Sequence, residues 1–110
     1  MNRFAGFVAL IALCLAGCGA QPGRTLMTYN RGSDQAPPLN MVRSPGIYAL
    51  YPSNGTNPIT TKDLAAGDVY GFEKDANGKI VAVVETQHQH QQIPLTSKLA
   101  TAYYWKYQKQ

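Results

Sequence analysis

Residues 69–85 read VYGFEK, DANG and KIVAVVE in succession, so that two apolar runs flank a polar tetrapeptide. Val, Ile, Tyr and Phe dominate the two runs, and these residue types favour β-strands. Between the runs, Asn77-Gly78 is a strong turn signal because both residues accept a positive φ at low cost. The stretch therefore predicts an antiparallel hairpin in which Val69–Lys74 pairs with Lys79–Glu85.

The segments around this hairpin also have the character of strands. Ile80–Val84 is apolar on both faces, which predicts a central strand that is covered on both sides. Gly46–Tyr51 is a further strand candidate, ended by the turn-forming residues 52–55. Gln91–Leu95 is predicted to be a short edge strand, because Pro94 has no N–H to donate to a sheet.

The C-terminal segment, residues 99–107, is rich in aromatic residues. Strand alternation places Tyr103, Trp105 and Tyr107 on one face and Tyr104 and Lys106 on the other. One interpretation puts the first face in the core. The alternative is an exposed platform that stacks on sugar rings or binds a protein, formed by Tyr103, Tyr104, Trp105 and Tyr107. The sequence favours the core interpretation.

Helical patterns are weak throughout the chain. Thr60 and Asp63 resemble a capping arrangement and Gly67 is placed to end a helix, which predicts one helical turn at most. We therefore predict a mainly β fold, a small antiparallel curled sheet or SH3-like barrel of four to six strands. This domain is expected to occupy residues 46–110, after a flexible N-terminal tether.

The N-terminus has the organisation of an export signal. A basic start at Met1-Asn2-Arg3 precedes an apolar run from Phe4 to Leu15. Twelve helical residues extend about 18 Å, which is too short for the roughly 30 Å hydrocarbon core of a membrane. The pattern favours a signal peptide over a permanent membrane-spanning helix.

The residues that follow, Leu15-Ala16-Gly17-Cys18, resemble the lipobox of bacterial lipoproteins. The resemblance implies that signal peptidase recognises Leu15, Ala16 and Gly17 and cleaves before Cys18. It further implies that the Cys18 thiol carries a diacylglycerol and that its amine carries an acyl chain such as palmitate. Since Gly19 and not Asp follows the cysteine, the resemblance favours the cell outer membrane, with the protein facing the periplasm.

Three segments follow from these patterns. Residues 1–17 are a cleaved lipoprotein signal peptide, residues 18–45 a lipid-anchored tether rich in Gly and Pro, and residues 46–110 the small β domain. Within the tether, Thr25–Tyr29 is β-branched and aromatic, which leaves an added edge strand as an alternative. Two or more acyl chains hold a protein stably on a membrane without a spanning segment.

Composition excludes several function classes. Both cysteines, Cys14 and Cys18, are N-terminal, so the remaining chain has neither a disulfide nor a thiolate site. Ten basic and six acidic residues give a net charge of +4, which is too small and too scattered to indicate nucleic-acid binding. The chain has neither a G-x-S-x-G motif nor a Gly-rich phosphate loop. We expect no enzymatic activity and no cofactor.

Two histidines, His88 and His90, lie in a glutamine-rich stretch. On a strand they would share one face and could bind a metal, with Glu85 as the nearest third ligand. An exposed polar loop is the simpler interpretation. The sequence therefore predicts a lipid-anchored cell-envelope protein with a binding or structural module that contacts an envelope protein or a cell-wall polymer. A metal-binding or metal-dependent envelope protein is the alternative.

Overall fold

A computed structural model describes residues 23–109, and these residues form eight strands and no helix. The strands are β1 Thr25–Asn30, β2 Asn40–Met41, β3 Gly46–Pro52, β4 Thr60–Leu64, β5 Val69–Lys74, β6 Ile80–Glu85, β7 His90–Ile93 and β8 Ala102–Lys109. The first sheet has the order β1-β8-β3-β4 and the second sheet the order β2-β5-β6-β7. All pairs are antiparallel. The mainly β class is confirmed, with two open sheets where one curled sheet or small barrel was expected.

The predicted hairpin is present as β5 and β6, with Val69 opposite Glu85 and Lys74 opposite Ile80. Its turn is held by the Asp75 carboxylate, which accepts hydrogen bonds from the amides of Asn77 and Lys79, both at 2.9 Å. Gly78 has a φ of 79°, whereas no residue other than glycine has a positive φ among residues 23–109. The prediction that β6 is central and buried is confirmed, as is the edge position of β7.

The core lies between the two sheets, which pack face to face. The Tyr70 and Trp105 rings meet across the interface with centroids 5.8 Å apart, and the Tyr29 and Phe72 rings are 5.4 Å apart. Trp105 is fully buried, and its indole Nε1–H donates to the carbonyl of Gly71 at 3.0 Å. This bond joins the middle strands of the two sheets and satisfies the indole donor, which would otherwise be buried without a partner.

Gly71 allows this close approach of the two sheets. Its φ is 153°, and a Cβ at this position would lie 2.8 Å from Leu39 Cδ2 and 3.2 Å from Met27 Sδ. A side chain here would have to displace the ends of the Leu39 and Met27 side chains, and residues other than glycine rarely adopt this φ. The glycine that interrupts the apolar run VYGF is thus a packing requirement and not a weak point of the strand.

The prediction of a flexible tether over residues 18–45 is wrong for its described part, because the folded domain begins near Gly23. Strand β1 pairs with β8 as an edge strand, which confirms the alternative for Thr25–Tyr29, and β2 pairs with β5. Met27, Tyr29 and Val42 are buried in the core. Residues 1–22, with the predicted signal peptide and lipobox, lie outside the described part of the chain. Within residues 23–109, no helix is long and apolar enough to cross a membrane.

The prediction of a helical turn at Thr60–Gly67 is also wrong, since residues 60–64 form strand β4. This strand pairs with β3 from Leu50 opposite Thr60 to Gly46 opposite Leu64. The turn comes after the strand, where Gly67 has a φ of 95° and the Asp68 carboxylate accepts from the Ala65 amide at 2.8 Å. Gly67 has the predicted positive φ, but in a strand-to-strand turn, and the carboxylate that binds the turn amide is that of Asp68 and not of Asp63.

Candidate functional site

The aromatic strand β8 supplies core and not a surface platform. Tyr103, Trp105 and Tyr107 are each at most 3 % exposed, so the alternation predicted from the sequence is confirmed and the four-residue platform is not formed. The physical reason is that this face of β8 is covered by the second sheet. Each ring therefore buries its area against that sheet, which stabilises the fold.

Only Tyr104 of these four residues lies on the outer face of the first sheet. Its ring stacks on that of Tyr51, with centroids 5.6 Å apart and an interplanar angle of 14°. Lys106 Nζ lies 5.5 Å from the centroid of the Tyr51 ring, a cation–π contact. Because these three side chains cover one another, little aromatic surface is left free there.

At one end of the sandwich, which we call the closed end, the short loop 42–45 covers the core, and a separate depression of about 450 Å³ lies between residues 65–69 and 85–88. Tyr48 donates its hydroxyl hydrogen to the carbonyl of Ser44 at 2.6 Å, and Tyr107 donates to that of Pro45 at 3.2 Å. The two rings are 5.1 Å apart in an edge-to-face arrangement. Burial, together with the neighbouring phenols Tyr70 and Tyr107, raises the pKa of Tyr48 to about 12.

The opposite end also has two tyrosines that bind loop carbonyls, but a cleft remains between the loops. Tyr29 donates to Ser33 at 2.9 Å, and Tyr103 donates to Ser97. The cleft has a volume of about 600 Å³, within the size range of small-molecule sites. We call it the basic cleft. It is lined by Tyr29, Arg31, Lys79, Ile80, Pro94, Leu95, Thr96, Lys98 and Tyr103.

Three cations and no carboxylate line the basic cleft. Among residues 23–109, the ion pairs within 4 Å all involve His90, so Arg31, Lys79 and Lys98 have no carboxylate partner at that distance. The Arg31 guanidinium is held by the carbonyls of Lys98 and of Ala100, the latter at 3.3 Å. The three cations of the cleft therefore form no direct ion pair with a carboxylate of the described residues.

The phenol of Tyr29 stays neutral beside these cations. Burial raises its pKa from the ordinary value of 10.0, Asp34 and Tyr103 raise it further, and the nearby Arg31 charge opposes the change. Tyr29 therefore contributes a buried ring and a hydroxyl that is already hydrogen-bonded, and no charge. The charged side chains of the cleft lining are therefore all cations.

Sequence analysis did not identify this cleft. Arg31 and Lys98 are 67 positions apart, and they lie in the loops before β2 and before β8. No short motif connects them, because the contact depends on the pairing of β1 with β8. An isolated basic residue in a loop gives no sequence signal of its own.

His90 lies on the outer face of the second sheet, between two carboxylates. Its Nε2 is 2.7 Å from Glu73 Oε2, and its Nδ1 is 2.7 Å from Glu85 Oε1. Gln92 also donates to Glu73 Oε2 at 2.7 Å. We call these four residues the His90 cluster. It joins strands β5, β6 and β7 through their side chains.

The His90 cluster shifts the pKa values of its members. The hydrogen bonds with Glu73 and Glu85, with the charges of both carboxylates, raise the pKa of His90 above its ordinary value. For Glu73, burial acts to raise the pKa, but the hydrogen bonds with Gln92 and His90 and the His90 charge outweigh it and lower the pKa. The geometry therefore favours an imidazolium between two carboxylates.

His88 does not join His90 in a metal site. It lies in the turn between β6 and β7, where its amide donates to Thr86 Oγ1 at 3.4 Å, and it lines a separate depression beside Asp68. In the described part of the chain, no group of three or more His, Cys, Asp or Glu side chains is arranged to hold a metal. The expected contact between Glu85 and His90 exists, but as a hydrogen bond.

Comparison of the chain with protein-family models, with curated proteins and with solved structures finds no match. The function is therefore inferred from the geometry and the sequence. What the basic cleft offers chemically is positive charge beside apolar walls. Its lining includes no carboxylate, imidazole or thiol that would act as a general base.

Proposed function

We propose that this protein is an exported, lipid-anchored lipoprotein of the cell envelope whose β-sandwich is a non-enzymatic binding module. One observation carries the proposal: the lipobox-like Leu15-Ala16-Gly17-Cys18 directly follows a basic start and a twelve-residue apolar run. In the family that these residues resemble, this order of features directs export, acylation of the cysteine and cleavage before it.

The short distance between Cys18 and the sandwich supports this role. Only five residue steps separate Cys18 from Gly23, where the described domain begins, and they extend at most about 18 Å. A domain tethered at that distance stays close to the headgroups. The Gly that follows Cys18 favours retention at the outer membrane, facing the periplasm.

The basic cleft supports a binding role for the folded part. It combines a volume of about 600 Å³ with three cations that form no ion pair within 4 Å among the described residues. A cleft of this kind fits a partner that brings negative charge, such as an envelope protein or a cell-wall polymer. A flat surface without a cleft would fit a purely structural role better.

The test compares Cys18→Ser with Cys14→Ser in the full chain, expressed in a Gram-negative host. Wild type and Cys14→Ser are expected in the outer-membrane fraction, with a mature mass that begins at Cys18 and includes the acyl chains. Cys18→Ser is expected to keep its leader and to lack acyl mass, because no thiol is available for the thioether. Wild-type protein that retains Met1, or that is found without acyl mass in the soluble fraction, would contradict the proposal.

A further inference from the structure

We propose that the basic cleft is a binding site for a phosphate ester that comes from the aqueous space and not from the membrane that holds Cys18. The first part stands on the cleft alone, and the second part rests on the proposed lipid anchor. Both parts follow from the placement of Arg31, Lys79 and Lys98 at the open end of the sandwich.

The three cations of the cleft match a ligand that carries more than one negative charge. Arg31, Lys79 and Lys98 come from three separate loops and border one cleft, in which no carboxylate takes part. A phosphate monoester carries nearly two negative charges at neutral pH and three acceptor oxygens, which is enough to contact three cations at once. A single carboxylate would leave at least one cation without a partner.

Arg31 is fixed in position before any ligand arrives. One terminal nitrogen of its guanidinium donates to the carbonyls of Lys98 and Ala100. The Nε and the other terminal nitrogen remain as donors, in the planar arrangement that suits phosphate oxygens. Lys79 and Lys98 supply flexible point charges that can adjust to the ligand.

The remaining lining indicates how the organic part of the ligand is held. Ile80 and Leu95 give the cleft an apolar wall. Tyr29 and Tyr103 are buried to 6 % and 2 % exposure, and their hydroxyls already donate to loop carbonyls. Recognition therefore depends on charge and on apolar contact, and not on stacking of a sugar ring on an exposed tyrosine.

The direction in which the cleft faces follows from strand β1. The Gly23 amide donates to the Tyr107 carbonyl at 2.7 Å, which places the start of the domain at the closed end. From there β1 runs about 20 Å to Arg31 at the open end. Because Cys18 is only five residue steps from Gly23, the lipid anchor lies at the closed end and the cleft faces away from that membrane.

The test titrates the full, purified protein in detergent with inorganic pyrophosphate at constant ionic strength and follows the backbone amides by NMR. We expect saturable shifts centred on Arg31, Lys79 and Lys98. Arg31→Gln should weaken the affinity at least fivefold, and the double variant Lys79→Gln/Lys98→Gln at least tenfold, because each loses contacts to the oxyanion. The double variant should stay folded even if Arg31→Gln does not, since neither lysine makes a side-chain hydrogen bond in the described structure.

Arg43→Gln and Lys109→Gln are the matched controls, since both residues are exposed at the closed end. They should change the pyrophosphate affinity less than twofold. Equal losses in the controls and in the cleft variants, or shifts outside the cleft, would overturn the proposed site.

A second arm tests the source of the ligand. The protein is placed in nanodiscs of neutral lipid and in nanodiscs that contain phosphatidylglycerol, without pyrophosphate. We expect the same amide positions for Arg31, Lys79 and Lys98 in both. Shifts in the anionic nanodiscs would make the headgroup the ligand and overturn the orientation. If Cys18 proves unmodified, the pyrophosphate titration still tests whether the basic cleft binds a phosphate group. The proposed lipid anchor and the proposed binding site can therefore fail separately.

Discussion

The two ends of the sandwich share the same tyrosine-to-loop hydrogen bonds but differ in whether a cleft is left beside them. At each end, two tyrosines reach from the core and donate their hydroxyls to carbonyls of a loop. At the closed end that loop has four residues, 42–45, and it covers the core beside Tyr48 and Tyr107. At the open end the loops 31–39 and 94–101 are nine and eight residues long, and they leave the basic cleft between them.

In this fold the loop that covers the core is short, and the loops that carry Arg31 and Lys98 are long. Val42 in the short loop is 2 % exposed and belongs to the core, whereas Arg31 and Lys98 in the long loops remain exposed. Surface loops tolerate added length at a small entropic cost, so binding residues accumulate there without weakening the core. The closed end should therefore respond to mutation through stability, and the open end through affinity.

The substitution that should lower the free energy of unfolding most is the removal of the buried Trp105 ring, which packs between the two sheets. Trp105→Ala should lose about 3–5 kcal/mol, because it leaves a large cavity and an unpaired Gly71 carbonyl. Small domains have only about 5–15 kcal/mol in total, so the variant should be largely unfolded. Loss of dispersion in the one-dimensional proton NMR spectrum would show this. Tyr104→Ala on the outer face is the control, and equal melting of the two variants would contradict the placement of Trp105.

The next largest effect is expected for a substitution that alters the closed end and leaves the open end unchanged. Tyr107→Phe keeps the ring but removes the hydrogen bond to Pro45, which should cost about 1 kcal/mol. Its pyrophosphate affinity should match that of wild type, since the cleft lies at the other end. Urea denaturation measures the stability. A loss of affinity with unchanged stability would reverse the roles assigned to the two ends.

A smaller effect is expected for the cations of the open end. Lys79→Gln/Lys98→Gln should change the free energy of unfolding by less than about 0.5 kcal/mol per substitution, as is usual for exposed residues. The same urea titration tests it against wild type. A loss as large as that of Tyr107→Phe would mean that these lysines hold the loops together, and the division between the two ends would not stand.

The smallest effect concerns pH and the His90 cluster. Because the pKa of His90 is raised on folding, its contribution is complete below its ordinary value of 6.5 and is lost as pH rises through the folded value. Because the pKa of Glu73 is lowered, its contribution is complete above 4.5 and is lost as pH falls through the folded value. The cluster should therefore stabilise the fold most in the mildly acidic range between these two ordinary values.

The measurement is the difference in melting temperature between wild type and His90→Gln, followed from about pH 4 to about pH 9. His88→Gln, at a histidine outside the cluster, is the matched control. A maximum difference above neutral pH would contradict the charged imidazole between Glu73 and Glu85.

The parts of the fold that were predictable depend on local signals. The β5–β6 hairpin follows from Asn77-Gly78 between two β-rich runs, and its register needs no contact beyond those residues. The buried face of β8 follows from alternation of Tyr103, Trp105 and Tyr107. In each case, neighbours in sequence are enough to fix the structure.

The parts that were missed depend on distant partners. The sequence offers strand β1 only as an alternative, because its partner β8 lies more than 70 positions away. The sequence predicts a helical turn where strand β4 forms, because the residues of Thr60–Leu64 alone give no sign of the pairing with β3. The basic cleft and the contact between Glu73 and His90 are non-local in the same way, so the candidate site was accessible only from the structure.

The bond between the Gly23 amide and the Tyr107 carbonyl has a practical consequence for labelling. It brings the first described residues beside the last strand, so a reporter attached after Lys109 emerges next to residue 23. Such a fusion would lie at the closed end and leave the mouth of the basic cleft unobstructed. A fluorophore meant to sense an occupant of the cleft belongs instead on the exposed tip of the β5–β6 turn, at Ala76.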